Sequence, residues 1–135
     1  MKVLFDTNVV LDVLTKRAGG SDSALALART SAPWISALSI ANIAYIFGRS
    51  KRDRLDGVIE RLRGRFAIAA FGASSVERAL GLGWNDFEDA AQMAVAEENR
   101  IPWLVTHNLS HFESTRRVTV LSVTDLLEKW PGKNR

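Results

Sequence analysis

Short apolar segments alternate along the chain with longer segments of helical periodicity. The first apolar segment, Val3-Leu4-Phe5, has β propensity and ends at Asp6. An apolar run this short, ending in a polar cluster and followed by a helical pattern, is typical of a strand buried in a parallel sheet. Four further strands are predicted from similar short apolar runs: Pro33–Ser36, Phe66–Phe71, Pro102–Thr106 and Val118–Leu121.

Helical patterns fill the intervals between these strands. The predicted helices cover Asn8 to about Thr15, Ser21 or Asp22 to about Thr30, Leu38–Phe47, an amphipathic stretch around Leu55–Leu62, Ser74 or Ser75 to about Leu82, Asp86–Asn99 and Thr124–Trp130. The basic residues and glycines of Lys16–Gly20 should end the first helix. Alternating strands and helices imply a parallel sheet covered on both faces, so the predicted fold class is α/β.

The Leu38–Phe47 segment is apolar at nearly every position. A helix that is apolar on all sides is buried, either in the core or under a partner chain, and the core is the favoured interpretation. Its polar exceptions, Ser39 and Asn42, are three residues apart and therefore share one face of the helix.

Composition narrows the class of protein. A chain of 135 residues, 47% hydrophobic, is expected to form one domain, residues 1–135. The absence of cysteine excludes disulfides and thiolate metal sites, and two histidines leave little scope for zinc. Any metal should therefore be an oxygen-preferring ion such as Mg²⁺ or Mn²⁺. With no predicted signal peptide or membrane span, a cytoplasmic protein without membrane contact is expected.

Basic residues are concentrated in one segment, although the net charge is only +3. Between Arg49 and Arg65 there are seven basic residues and three acidic ones. This excess is typical of a nucleic-acid contact, but also of the solvated face of an amphipathic helix, and the solvated face is favoured on general grounds.

Two carboxylates are candidates for phosphodiester chemistry. Asp6 follows the first strand, and Asp89 lies in the first turn of a later helix. Carboxylates gathered at one edge of a sheet hold Mg²⁺ or Mn²⁺, which polarises a phosphoryl oxygen and lowers the pKa of a bound water. Asp86 lies on the same side of the helix start as Asp89. Asn8 and Asn108 are candidates to orient a water or a carboxylate.

Each of these residues also has a structural interpretation. Asp86 and Asp89 have the spacing of a helix cap and its reciprocal partner, and Asp6 is placed to cap the helix that follows it. Taken singly, the structural interpretation is favoured for each. Asp12 and Glu88 are interpreted as surface charges or local salt-bridge partners.

Other chemistries have less support. The sequence contains no G-x-G-x-x-G, G-x-x-x-x-G-K-[ST] or G-x-S-x-G motif, which disfavours a dinucleotide site, a phosphate-binding loop and a serine hydrolase. A small phosphatase would use Asp6 as a covalent nucleophile. We expect that class to carry a second aspartate at position 8, where this chain has Asn8.

Three segments together resemble the PIN-domain (PilT N-terminus) family, and most of all its bacterial subgroup with a D-F-E-D-A segment. They are Val3–Asp12, Asp86–Gln92 and Leu104–Asn108, and the resemblance extends from residue 2 to about 125. It implies a Rossmann-like three-layer α/β/α sandwich with a five-stranded parallel sheet of order 3-2-1-4-5. It also implies a Mg²⁺- or Mn²⁺-dependent ribonuclease. Many relatives are VapC-type toxins, which cleave RNA, dimerise and are silenced by a cognate antitoxin.

The resemblance assigns roles by position. Asp6 and Asp89 match metal-binding aspartates of the family, Asn8 matches the polar residue two positions after the first of them, and Asn108 matches the asparagine of a T-x-N segment. Each of these residues is therefore a candidate for the active site.

Two family acids are replaced. A glutamate of the apolar helix falls at Asn42, and an acid after the T-x-N segment falls at His111. The metal site is thus reduced to Asp6 and Asp89, with Asp86 as a replacement ligand. Asn42 keeps an oxygen but loses a charge, which should weaken metal affinity. His111 is either a contact to RNA phosphate or a leaving group, or a surface residue.

The resulting hypothesis is a single-domain endoribonuclease, the toxin of a toxin–antitoxin pair, that binds RNA and forms a homodimer. The segment Arg49–Arg65 and the pair Arg116-Arg117 are candidate RNA contacts, and the Leu38–Phe47 helix is a candidate dimer or antitoxin surface. The alternative hypothesis is a degenerate PIN-like domain that binds RNA or a protein without catalysis, motivated by the losses at Asn42 and His111.

Overall fold

A computed structural model of the chain describes residues 1–15, 20–48 and 52–129, with the side chains of the last range described from residue 55. Within these ranges, strands and helices alternate as the sequence predicts. The elements are β1 (Lys2–Phe5), α1 (Thr7–Thr15), α2 (Gly20–Arg29), β2 (Ala32–Ser36), α3 (Ala37–Gly48), α4 (Arg52–Arg65), β3 (Ala67–Ala69), α5 (Ala73–Leu82), α6 (Phe87–Glu98), β4 (Trp103–Val105), a 3₁₀ helix (Leu109–His111), β5 (Thr119–Leu121) and α7 (Val123–Lys129).

The five strands form one parallel sheet with the order β3-β2-β1-β4-β5. Leu4 of the central strand lies opposite Trp34 of β2 and Leu104 of β4. The predicted α/β class and strand order are therefore confirmed. The chain runs outward from β1 on one side and returns to β4 on the other, so β1 and β4 flank the point where the strand order reverses. In open α/β sheets, ligands bind beyond the carboxyl ends of the strands at this point.

The core is divided between the two faces of the sheet. Val3 and Phe5 of β1 pack into one cluster, together with residues of α1, α2, α3, α4 and α7. Leu4 points to the opposite face and packs with Met93 of α6, as expected because successive side chains of a strand alternate. An alanine stripe on α6 packs against Ala79 of α5. The sheet is thus covered on both faces, which gives three layers.

Helix α3 corrects one prediction. Tyr45 is 70% exposed and Ile46 is 46% exposed, while Ser39 and Ile43 are the buried residues of this helix. The favoured interpretation, a helix buried in the core on all sides, is therefore wrong for the face that carries Tyr45 and Ile46. Helix α3 packs only one face on the core, through Ile43, whereas Tyr45 and Ile46 lie at the rim of a cavity. The apolar composition of the helix does not distinguish these two faces.

Several helix starts also differ from the predictions. Helix α2 begins at Gly20, so Ser21 and Asp22 lie inside its first turn and do not precede it. Helix α5 has Gly72 as its N-cap residue, and Ser75 accepts a hydrogen bond from the Gly72 backbone at 3.0 Å. Of the predicted stop at Lys16–Gly20, Gly20 begins α2, and the other four residues lie outside the described residues. None of the helices in the described part of the chain is both long enough and apolar enough to cross a membrane.

Candidate active site

Asp6 lies at the carboxyl end of β1 and is almost completely buried. Its Oδ1 accepts a hydrogen bond from the Thr7 backbone, and its Oδ2 accepts one from the Thr106 hydroxyl, both at 2.8 Å. Burial raises the pKa of Asp6, while the bonds from Thr106 and Thr7 oppose that rise. Because Thr106 follows β4, the ends of two neighbouring strands hold this carboxylate in place.

Asp89 lies in the first turn of α6. The N-cap residue Asp86 accepts a hydrogen bond from the Asp89 backbone at 3.1 Å, which confirms the predicted cap. The Asp89 carboxylate is buried, and in the described part of the chain its Oδ2 finds no hydrogen-bond donor. Burial, and then the charges of Asp86 and Asp6, raise the pKa of Asp89 to about 6, opposed by His111. A cation would relieve this crowding of negative charge.

Six of the seven predicted site residues line one cavity of about 350 Å³. They are Asp6, Asn8, Asn42, Asp86, Asp89 and Asn108. The seventh, His111, lines a neighbouring cavity that shares Asp86, and its Nδ1 lies 3.7 Å from Asp89 Oδ2. The structure therefore brings all seven residues to one region, at the strand-order reversal between β1 and β4.

A fourth acidic side chain, after those of Asp6, Asp86 and Asp89, reaches this cavity. Glu88 is exposed, as expected for a surface charge, but it lines the cavity and its Oε1 accepts a hydrogen bond from Asn42 Nδ2. Its charge contributes to raising the pKa of both Asp6 and Asp89. Glu88 therefore brings a carboxylate close to position 42, where the chain has Asn42 and the family resemblance implies a glutamate.

A group of polar side chains below the cavity was not predicted. Ser39 Oγ lies 2.6 Å from the Thr7 hydroxyl and accepts hydrogen bonds from Ser36 Oγ at 3.0 Å and Gln92 Nε2 at 2.8 Å. Gln92 Oε1 is buried and has no partner among the described residues, which is costly for an amide carbonyl. The available signal was the position of Gln92, one helical turn after Asp89.

Asp12 was also misinterpreted. It is buried in α1, and its Oδ2 lies 2.6 Å from His107 Nε2. The surface-charge interpretation of Asp12 is therefore wrong. His107 is 95 positions away along the chain, so this ion pair is not a local one. His107 lies between Thr106 and Asn108, so this contact ties α1 to the segment that carries two residues of the site.

The basic segment is only partly available for an RNA contact. Arg65 donates to the backbone carbonyl of Leu27 at 2.6 Å, and Arg63 forms an exposed ion pair with Glu60 at 2.9 Å. These contacts support the solvated-face interpretation for the end of α4. Arg49 and Lys51 lie outside the described residues.

Comparison with known proteins agrees with this architecture. A family model described as the PIN domain matches residues 2–110. No protein with a curated description matches significantly.

Among solved structures, the chain is similar to one from a toxin–antitoxin complex of Klebsiella pneumoniae, with 25% identity, a TM-score of 0.69 and coverage of 87% of this chain and 95% of that one. It also resembles VapBC-1 from nontypeable Haemophilus influenzae, with 16% identity, a TM-score of 0.72 and coverage of 92% and 99%. VapC20 of Mycobacterium tuberculosis, a toxin that cleaves the sarcin–ricin loop, has 16% identity, a TM-score of 0.65 and coverage of 80% and 92%. The last two likenesses concern the fold alone.

Proposed function

The chain belongs to the PIN-domain family, and on that premise we propose that residues 1–135 form one metal-dependent endoribonuclease domain. We further propose that it acts in the cytoplasm as the toxin of a toxin–antitoxin pair. The observation that carries the nuclease proposal is the convergence of Asp6 and Asp89. Asp6 directly follows β1 and Asp89 lies in the first turn of α6. Both line one cavity, and the pKa of each is raised.

The residues present fit a divalent cation. Asp89 Oδ2 is buried without a hydrogen-bond donor in the described chain, and its pKa is raised partly by Asp86 and Asp6. Within the described ranges no three acidic or histidine side chains are arranged to hold a metal by themselves. The two carboxylates of Asp6 and Asp89 are nevertheless enough for Mg²⁺, which keeps several water ligands and is usually bound by one or two protein carboxylates.

When bound, the metal would polarise a phosphoryl oxygen and lower the pKa of an attacking water. Asp6 and Asp89 would hold it, and Asp86, which caps α6, would add negative charge beside them. Thr106 keeps the Asp6 carboxylate oriented, as partners of metal ligands commonly do. Asn8 and Asn108 line the same cavity and would orient substrate or water.

The remaining polar groups have supporting roles in this proposal. His111 lies beside Asp89 and would donate a hydrogen bond to RNA phosphate or to the leaving group. Asn42 would hold Glu88 at the cavity. Arg116 and Arg117 are exposed near Glu97 and remain candidate contacts to the RNA backbone.

The toxin assignment is supported by similarity to a chain of a toxin–antitoxin complex. We therefore propose a cognate antitoxin and a homodimeric assembly. The exposed apolar side chains of Tyr45 and Ile46 at the cavity rim are a candidate partner surface. Induced expression of the chain in a bacterial host should arrest growth, and expression of Asp6→Asn at the same level should not. Equal growth arrest by both would contradict a nuclease toxin.

One observation favours a non-catalytic alternative. His111 Nδ1 lies 3.7 Å from Asp89 Oδ2, and a protonated His111 would occupy the position of a cation beside this carboxylate. A domain in which the histidine replaces the metal would bind RNA without cleaving it.

Calorimetric titration with Mn²⁺ separates the two proposals. The nuclease proposal predicts binding by the wild type that is lost in Asp6→Asn and Asp89→Asn. Asp22→Asn is the matched control, because Asp22 is exposed on α2 and does not line the cavity. No heat of binding by the wild type at millimolar Mn²⁺ would favour the non-catalytic alternative.

A further inference from the structure

The polar side chains below the cavity form a continuous hydrogen-bonded chain. Thr7, Ser36, Ser39 and Gln92 come from α1, β2, α3 and α6, so the network joins four elements. Ser36, Ser39 and Gln92 are at least 98% buried, whereas Thr7 is only partly buried and lines the cavity. Gln92 also lines the cavity but is almost completely buried, so Thr7 is the member of the network that substrate can reach most easily.

The direction of each hydrogen bond follows from counting donors and acceptors. A serine hydroxyl offers one hydrogen and two lone pairs. Ser39 Oγ accepts from Ser36 Oγ and from Gln92 Nε2, which occupies both lone pairs. Its own hydrogen must then be donated to Thr7 Oγ1, 2.6 Å away. Ser36 is fixed in the same way, because its Oγ also accepts from the Ser39 backbone at 3.0 Å.

The same count leaves the Thr7 hydrogen without an acceptor in the network. Thr7 Oγ1 accepts from Ser39 and, at 3.4 Å, from Gln92 Nε2, so both of its lone pairs face inward. No hydrogen bond from the Thr7 hydroxyl to a carboxylate is present among the described residues. The hydrogen is therefore free to point into the cavity.

We propose that the Thr7 hydroxyl donates a hydrogen bond to a nonbridging oxygen of the RNA phosphodiester being cleaved. This inference rests on the proposed nuclease function and adds a substrate-contacting residue to it. Thr7 begins α1, a nine-residue helix, so its hydroxyl lies at the positive end of a helix dipole. The carboxylates of this cavity repel a phosphate, and a fixed neutral donor beside them offsets part of that repulsion without competing for the metal.

Two substitutions of Thr7 separate the hydroxyl from the shape of the side chain. Thr7→Val keeps the volume and removes the donor, whereas Thr7→Ser keeps the donor. Hydrogen bonds to charged groups are the stronger ones, so Thr7→Val should lower kcat/KM for RNA roughly 10- to 100-fold. Thr7→Ser should stay within about threefold of the wild type, because the hydroxyl alone is required.

A sulfur-substituted substrate tests the contact itself. Wild type and Thr7→Val are compared on an RNA with oxygen or sulfur at the nonbridging position of the cleaved linkage, with each diastereomer measured separately. Sulfur is the weaker acceptor, so one diastereomer should slow the wild type by at least about threefold more than it slows Thr7→Val. Effects of sulfur on the metal are common to both proteins and cancel in this ratio.

The outcomes separate this inference from the function on which it rests. A sulfur effect that is larger in the wild type supports the contact, since a purely structural loss in Thr7→Val would leave the effect unchanged. Equal sulfur effects in both proteins for both diastereomers overturn the inference and leave the nuclease function standing. Absence of metal-dependent cleavage by the wild type overturns the proposed function and this inference with it.

Discussion

Replacement of Asp89 by asparagine should stabilise the metal-free protein at neutral pH. Asp89 is buried beside Asp86 and Asp6, and its Oδ2 lacks a hydrogen-bond donor in the described part of the chain. Asparagine has nearly the same shape, removes the charge and supplies two N–H donors toward the neighbouring carboxylates. A site arranged to hold a cation is thus expected to be a local source of instability when no cation is bound.

The magnitude follows from the pKa of Asp89, which rises from 3.8 to about 6 on folding. A raised pKa means that the folded state binds this proton more tightly than the unfolded state does. Stability should therefore be lost as pH rises from about 4 to about 6, and the full penalty should apply above that window. At 1.36 kcal/mol per pKa unit the penalty is at most about 3 kcal/mol, and solvent screening reduces our expectation to about 2 kcal/mol.

Thermal unfolding in EDTA between pH 4 and pH 8 measures this effect. Asp89→Asn should unfold about 6 °C above the wild type at pH 7.5, and the difference should vanish near pH 4. Asp22→Asn, at an exposed position on α2, should show no comparable gain. A variant that is less stable than the wild type at pH 7.5, or a difference independent of pH, would refute the argument that negative charge is crowded at Asp89.

Two further predictions concern the support of the site and the core. Thr106→Val removes the hydroxyl that donates to the buried Asp6 carboxylate. It should lower the free energy of unfolding in urea titrations by about 1–3 kcal/mol and lower RNA cleavage about 10-fold or more. Unchanged values would show that this bond does not orient the carboxylate. Ile43→Ala should cost about 2–5 kcal/mol because Ile43 is fully buried. Ile46→Ala on the same helix should cost less than about 1 kcal/mol, and equal costs would contradict the one-sided packing of α3.

Local sequence patterns were sufficient for the elements that depend on neighbouring residues. Val3-Leu4-Phe5 before Asp6 predicted the central strand, and Asp86 predicted the start of α6 because its cap bond spans only three residues. The strand order came from the family resemblance, since the pattern of elements alone is compatible with several parallel orders.

The contacts that hold the site together could not be predicted in this way. Thr106 and Asp6 are 100 residues apart, and the bond between them appears only once β4 lies beside β1. Gln92 belongs to one of the segments that resemble the family, but its contact with Ser39 was not predicted, because the two residues are 53 positions apart. The burial of Tyr45 was also predicted wrongly from its residue type, because an apolar side chain is compatible with both a core position and an exposed surface.

Cleavage of a single-stranded RNA in Mn²⁺ tests the central claim most directly, with wild type, Asp6→Asn and Asp22→Asn compared under the same conditions. The wild type and Asp22→Asn should cleave at equal rates, EDTA should abolish both activities, and Asp6→Asn should show no cleavage above buffer. Cleavage that survives EDTA or the loss of Asp6, or no cleavage by the wild type at all, would contradict the proposal that Asp6 and Asp89 form a metal-dependent nuclease site.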